Sequence, residues 1–88
     1  MIKQAFIVKN KLGLHARPAA LLVQTTYKYQ SQVRVIKDDQ EVDGKSIMGI
    51  LTLTAERGST LTIVADGPDE QEMIDELKTL FNRGFDEE

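Results

Sequence analysis

The apolar residues of this chain switch repeatedly between two spacings within 88 residues. Alternation at every second residue marks a strand with one buried face, and recurrence at three and four residues marks a helix with one buried stripe. Elements this short can bury those faces only against one another, around a single core. One domain spanning residues 1–88 is therefore expected. Ile2 to Lys9 reads as a strand with Ile2, Phe6 and Val8 on one face and Ala5 and Ile7 on the other. "NKLG" is a turn. From Ala16 to about Tyr27 the spacing becomes helical, with Ala16, Ala19, Ala20, Val23 and Tyr27 as the inward stripe. "QVRVIK" alternates again, with Val33 and Val35 on one side, and "DDQ" turns it into a short returning strand, "EVD".

Gly44 ends that strand, and Ser46 to about Leu53 predicts a short helix that sends Ile50 and Leu53 to the core. "ERGS" is a further turn. "TLTIVA" is a strand with Leu61, Ile63 and Ala65 facing inward. "DGPDEQE" stops it and starts the last helix, where Asp69 is expected as N-cap and Glu72 as its partner in a capping box. Met73, Ile74, Leu77, Leu80 and Phe81 form the buried stripe, and Gly84 falls just past the helix end. The order is βαββαβα. It predicts an α+β open-faced sandwich, a four-stranded antiparallel sheet covered on one face by three helices.

Composition narrows the function classes. The chain has no cysteine, so disulfides and thiolate chemistry are excluded, in keeping with a reducing cytoplasm. Its net charge is −3 and its basic residues are scattered, which is not the footprint of a nucleic-acid binder. One histidine without cysteine argues against a structural metal site. No nucleophile-elbow motif is present. "MIKQAFIVKN" lacks the apolar core of a signal peptide and no later run could span a bilayer, so a soluble cytoplasmic protein without membrane attachment is expected.

The one histidine lies in "LGLHARPAA". With His15 as N-cap, Ala16, Arg17 and Pro18 form the first helical turn. The first amides of a helix have no partner within it, and the dipole is positive there. Pro18 suits an early turn because its missing N–H would have been unpaired anyway. That end of the helix attracts anions, and the Arg17 guanidinium can fork onto two phosphate oxygens. The positive end also disfavours an imidazolium, which leaves a neutral ring nitrogen as a nucleophile. A phosphoryl group captured there brings roughly two negative charges onto the unpaired amides and the arginine. Taken residue by residue, a capping histidine and a solvated arginine account for the same letters.

"GLHARPA" resembles the active-centre signature of the HPr family, the histidine phosphocarriers of the bacterial phosphotransferase system. A second segment, "KSIMGIL", is similar to the family's regulatory-serine region, and the likeness extends over essentially the whole chain. The resemblance implies that His15 accepts a phosphoryl group on Nδ1 from enzyme I, originally from phosphoenolpyruvate, and passes it to a histidine of an enzyme IIA domain. It implies Arg17 as the stabiliser of that group, with Ala16 and Pro18 supporting it. On this reading the protein is a carrier for sugar uptake and a substrate of its partners, not an enzyme. It needs no cofactor, and Mg²⁺ belongs to the partner enzymes. A monomer is the family expectation.

Ser46 can simply cap the short helix. In many relatives the serine of this motif is phosphorylated by the HPr kinase/phosphorylase, so Ser46 is the candidate regulatory site, read in turn by a transcriptional regulator. A phosphate there would meet the positive helix end and leave the helix intact while charging a docking surface. Ile47, Met48 and Leu51 are apolar on a helix too short to bury every face. They read either as core or as an exposed patch for partners, which Ala20, Leu21 and Gln24 of the first helix would join. Two departures stand out: Thr54 occupies a position where many sugar-branch relatives have glycine, and Tyr27 one where lysine is common. The ending "LFNRGFDEE" is similar to the nitrogen-branch paralogue, NPr, which keeps open a regulatory phosphocarrier acting through partner proteins.

Overall fold

The four alternating segments form strands β1 (Ile2–Ile7), β2 (Gln32–Lys37), β3 (Gln40–Asp43) and β4 (Thr60–Asp66). The structure is a computed structural model that describes residues 1–87; Glu88, the last residue of the C-terminal run compared above, lies outside them. The sheet has the order β1-β4-β2-β3, with every neighbouring pair antiparallel. Phe6 pairs with Leu61, Val35 with Ile63 and Val35 with Val42, so the inward positions of successive strands align. Phe6, Val33, Val35, Leu61, Ile63 and Ala65 are buried, whereas Ala5, Ile7 and Arg34 on the opposite face are exposed. β1 ends before the predicted Lys9, yet the chain stays attached. The Val8 amide donates to the Ser59 carbonyl (2.9 Å) and the Gly58 amide to the Val8 carbonyl (2.8 Å). Alternation continues there past the end of the ladder, because Val8 remains in the core.

Helices α1 (Ala16–Tyr27), α2 (Ile47–Thr52) and α3 (Glu70–Asn82) cover the inward face. Ile50 and Leu53 enter the core as expected, and so do Met73, Ile74, Leu77, Leu80 and Phe81 of α3. The stripe of α1 differs from the predicted one. Ala19 and Val23 are buried, but Ala16 and Tyr27 are exposed, and Leu22 and Thr26 take the inward places. Thr26 is tolerated there because its hydroxyl donates to the Gly44 carbonyl (2.8 Å), and a buried polar group that finds a partner costs little.

Asp69 holds the N-cap position of α3 but its side chain does not cap it. The carboxylate instead accepts the amides of Gln30 and Ser31 (both 2.9 Å) and the Ser31 hydroxyl. Those bonds, the hydroxyl's foremost, hold its carboxyl below the usual range. Glu70, not Glu72, reaches back, accepting the Gly67 amide (3.1 Å). The predicted capping box is thus replaced by a tie between α3 and the entry to β2. Lower on α3, Glu76 accepts Lys28 and the Tyr29 hydroxyl. Lys28, then Tyr29, hold the Glu76 carboxyl low, while the bond to Glu76 and burial push the Tyr29 phenol up to about 12.

Gly84 follows α3 with φ +60, as expected of a helix terminator. Phe85 (φ +56) and Asp86 (φ +61) keep the same left-handed conformation, which costs a side-chain-bearing residue about 1–2 kcal/mol. Phe85 offsets this by burial: it is 1% exposed, with its ring edge-on to Phe81 at a centroid distance of 4.8 Å. The turn closes with the Glu87 amide on the Gly84 carbonyl (3.0 Å) and carries Glu87 back towards the loop between β1 and α1.

Candidate functional site

The loop before α1 is held by Gly13. Its φ is +71, and a Cβ at this position would lie 2.3 Å from the Ala55 carbonyl oxygen, so only glycine fits. The same carbonyl accepts the Leu14 amide (2.8 Å), and Leu14 is buried. The loop is thereby pressed onto the chain leaving α2, and His15 emerges at the N-cap of α1 in an extended conformation (φ −81, ψ −168). Its carbonyl accepts the Ala19 amide (3.0 Å) and its side chain makes no capping bond, so the ring is not committed to the helix.

Pro18 is buried and has no N–H. Among the described residues nothing accepts the amides of Ala16 and Arg17, which remain the available donors of the first turn. Arg17 is exposed and makes no ion pair with any described residue. The His15 side chain is 39% exposed. His15 at the N-cap is therefore followed directly in the chain by two amides and an exposed arginine without partners among the described residues.

His15 also has a partner the sequence did not announce. Its Nε2 lies 3.0 Å from Oε1 of Glu87, whose side chain is largely buried (17% exposed). The same oxygen accepts Asn10 Nδ2 at 3.1 Å, and Asn10 Nδ2 is in turn held by the Gly13 carbonyl. Asn10 is 2% exposed. Asn10 belongs to a segment readable only as a turn, and Glu87 to an acidic run that reads as solvated charge, so neither carried a signal.

Ser46 is the N-cap of α2, and its hydroxyl accepts the Gly49 amide (3.0 Å). The apolar residues after it divide as the sequence left open. Met48 is 71% and Ile47 41% exposed, whereas Leu51 is half-buried. Leu51 nevertheless lines a shallow open depression with His15, Leu12, Leu14 and Thr54, which joins α2 to the head of α1. Leu12, 74% exposed, is an apolar residue of this surface that the sequence reading passed over as part of a turn. Ala20 and Leu21 are half-buried and Gln24 is exposed. No helix among the described residues is long and apolar enough to cross a membrane.

The profile of the family described as "PTS HPr component phosphorylation site" matches residues 2–83. The chain belongs to the HPr family. HPr proteins are phosphocarriers, and relatives align with this chain from end to end. Phosphocarrier protein HPr of Cupriavidus necator is 46% identical over 87 residues, 99% of this chain and 98% of its own length. Among solved structures, HPr-C-His of Thermoanaerobacter tengcongensis superposes with a TM-score of 0.95 at 48% identity, covering 100% of this chain and 99% of its own. A structure described as the HPr dimer of the same organism has a TM-score of 0.77 at 47% identity, covering 97% and 98%. A monomer is therefore not a property shared by every HPr relative.

Proposed function

We propose that His15 is the phosphoryl-accepting residue of a carrier that takes the group from enzyme I and delivers it to a histidine of an enzyme IIA domain, in service of sugar uptake. The observation that supports this most is the state of the α1 terminus: a half-exposed imidazole at the N-cap, followed by two amides and an exposed arginine that have no partner among the described residues. An incoming phosphoryl group meets donors that no described residue engages, and Arg17 adds a planar fork for its oxygens. Ala16 supplies an amide, and Pro18 keeps the turn helical without competing for the ligand.

Partners dock on the apolar surface next to the ring, formed by Leu51, Ile47 and Met48 with Ala20, Leu21 and Gln24 of α1. Encounters there must end within each transfer cycle, which calls for a weak, short-lived interface. Ser46 lies at its margin and is the regulatory site in this reading. Incubation with phosphoenolpyruvate, enzyme I and Mg²⁺ is the test. One acid-labile phosphate on the parent protein and none on His15→Ala is expected. Labelling that survives the substitution, or a parent that takes up no phosphate, overturns the assignment.

A further inference from the structure

We propose that Glu87 is a positioning residue for His15: its carboxylate accepts Nε2–H, fixes that tautomer, and leaves Nδ1 as the nitrogen bearing the lone pair. This rests on the reading of His15 as phosphoryl acceptor. A carboxylate can only accept a hydrogen bond, so the 3.0 Å contact requires the proton on Nε2. Nδ1 has no hydrogen-bond partner among the described residues. In a neutral ring with Nε2 protonated, Nδ1 is then the only nucleophilic nitrogen.

The carboxylate is itself located by two independent supports. Asn10 Nδ2 donates to the same Oε1 (3.1 Å) while bound to the Gly13 carbonyl, so the loop that presents His15 also places the group that orients it. From the other side, the buried Phe85 anchors the left-handed turn that delivers Glu87. Both supports lie outside the first helical turn, so neither engages the amides of Ala16 and Arg17.

During uptake the Nδ1 lone pair forms a bond to phosphorus, and the bond from phosphorus to the donor atom breaks, its electron pair leaving with the donor. The ring keeps its Nε2 proton and becomes cationic, directly opposite the Glu87 carboxylate. Delivery reverses each of these changes. A carboxylate on the far nitrogen thus orients the imidazole and stabilises the charge that develops on it, the division of labour seen where an aspartate supports a catalytic histidine. Attack through Nε2 would instead place the phosphoryl dianion against Glu87, and like charge opposes that.

The chain has one histidine, so its ring nitrogens are read without ambiguity by ¹⁵N NMR. With the ring neutral, the parent is expected to show a protonated Nε2 and an unprotonated Nδ1. In Glu87→Ala both shifts should move towards values averaged over the two tautomers. Glu87→Gln, which can still accept through Oε1, should retain the parent pattern. Phosphoryl uptake by Glu87→Ala should show kcat lowered about tenfold, the loss of one charge-assisted hydrogen bond, with KM for enzyme I unchanged. Unchanged ring shifts, or an unchanged rate, in Glu87→Ala overturns the proposal. If the ring responds as expected but the parent accepts no phosphate, the positioning stands and the acceptor reading falls.

Discussion

The Leu14 amide donates to the Ala55 carbonyl at 2.8 Å, and this bond ties the loop presenting His15 to the segment that leaves α2. Thr54, the residue before Ala55, has φ +47, the left-handed conformation that usually ends a helix on glycine. Glycine would adopt that conformation without the strain a Cβ brings. Thr54→Gly should raise stability by about 0.5–1 kcal/mol, the left-handed strain relieved less the added freedom of the unfolded chain. A denaturant midpoint that does not move, or falls, would show that the Thr54 hydroxyl's bond to the Leu53 carbonyl (2.7 Å) matters more than the strain.

Arg17 is exposed and tied to no described residue, so Arg17→Ala should leave the thermal midpoint within a degree or so of the parent. Phosphoryl uptake at His15 should slow by about tenfold to a hundredfold, since a hydrogen bond to a charged group is worth about 1.5–3 kcal/mol. Stopped-flow transfer from phosphorylated enzyme I measures this, and parental kinetics would remove Arg17 from the site.

Aspartate is as good an N-cap as serine, so Ser46→Asp should keep α2 folded while setting a charge beside exposed Ile47 and Met48. Binding to enzyme I should weaken on the order of tenfold, through charge at the rim of an apolar patch. Calorimetric titration decides it: an unaltered dissociation constant would mean that Ser46 lies outside the docking surface.

The carboxyls of Asp69, Glu70 and Glu76 lie below their ordinary values in the folded chain, held there by the Ser31 hydroxyl, the Gly67 amide and Lys28 respectively. As pH falls, the unfolded chain takes up protons on these groups before the folded chain does. The stability they contribute is complete above roughly pH 4–5 and drains away as pH drops through the lower folded values. Urea midpoints should therefore decline from pH 6 to pH 2.5. Asp69→Asn should be less stable than the parent at pH 6 and converge on it at the acid end; parallel curves would exclude Asp69 as a contributor.

Much of this molecule is legible in its letters because the relevant physics is local. Alternation over a handful of residues identifies β1, β2 and β4, and the run from Gly13 to Pro18 announces both a turn and the head of α1. The misreadings have non-local causes. The Thr26 hydroxyl, within reach of the Val23 carbonyl in its own helix (3.1 Å), lies nearer the distant Gly44 carbonyl (2.8 Å), and Asp69 leaves its helix because Ser31 and Gln30 offer it donors. Gly44, Gln30 and Ser31 are all distant in sequence from the residues they meet.

The sequence by itself determined the order of elements, the core faces of most of them, and the coincidence of histidine, arginine and an unpaired helix end. Only the tertiary structure decided that Glu87 meets the imidazole with Asn10 holding its carboxylate, and that Leu12 and Leu51 share a surface with the ring. Those contacts depend on the path of the chain through a left-handed turn anchored by Phe85, and a period read over neighbouring residues carries no information about where a distant segment returns.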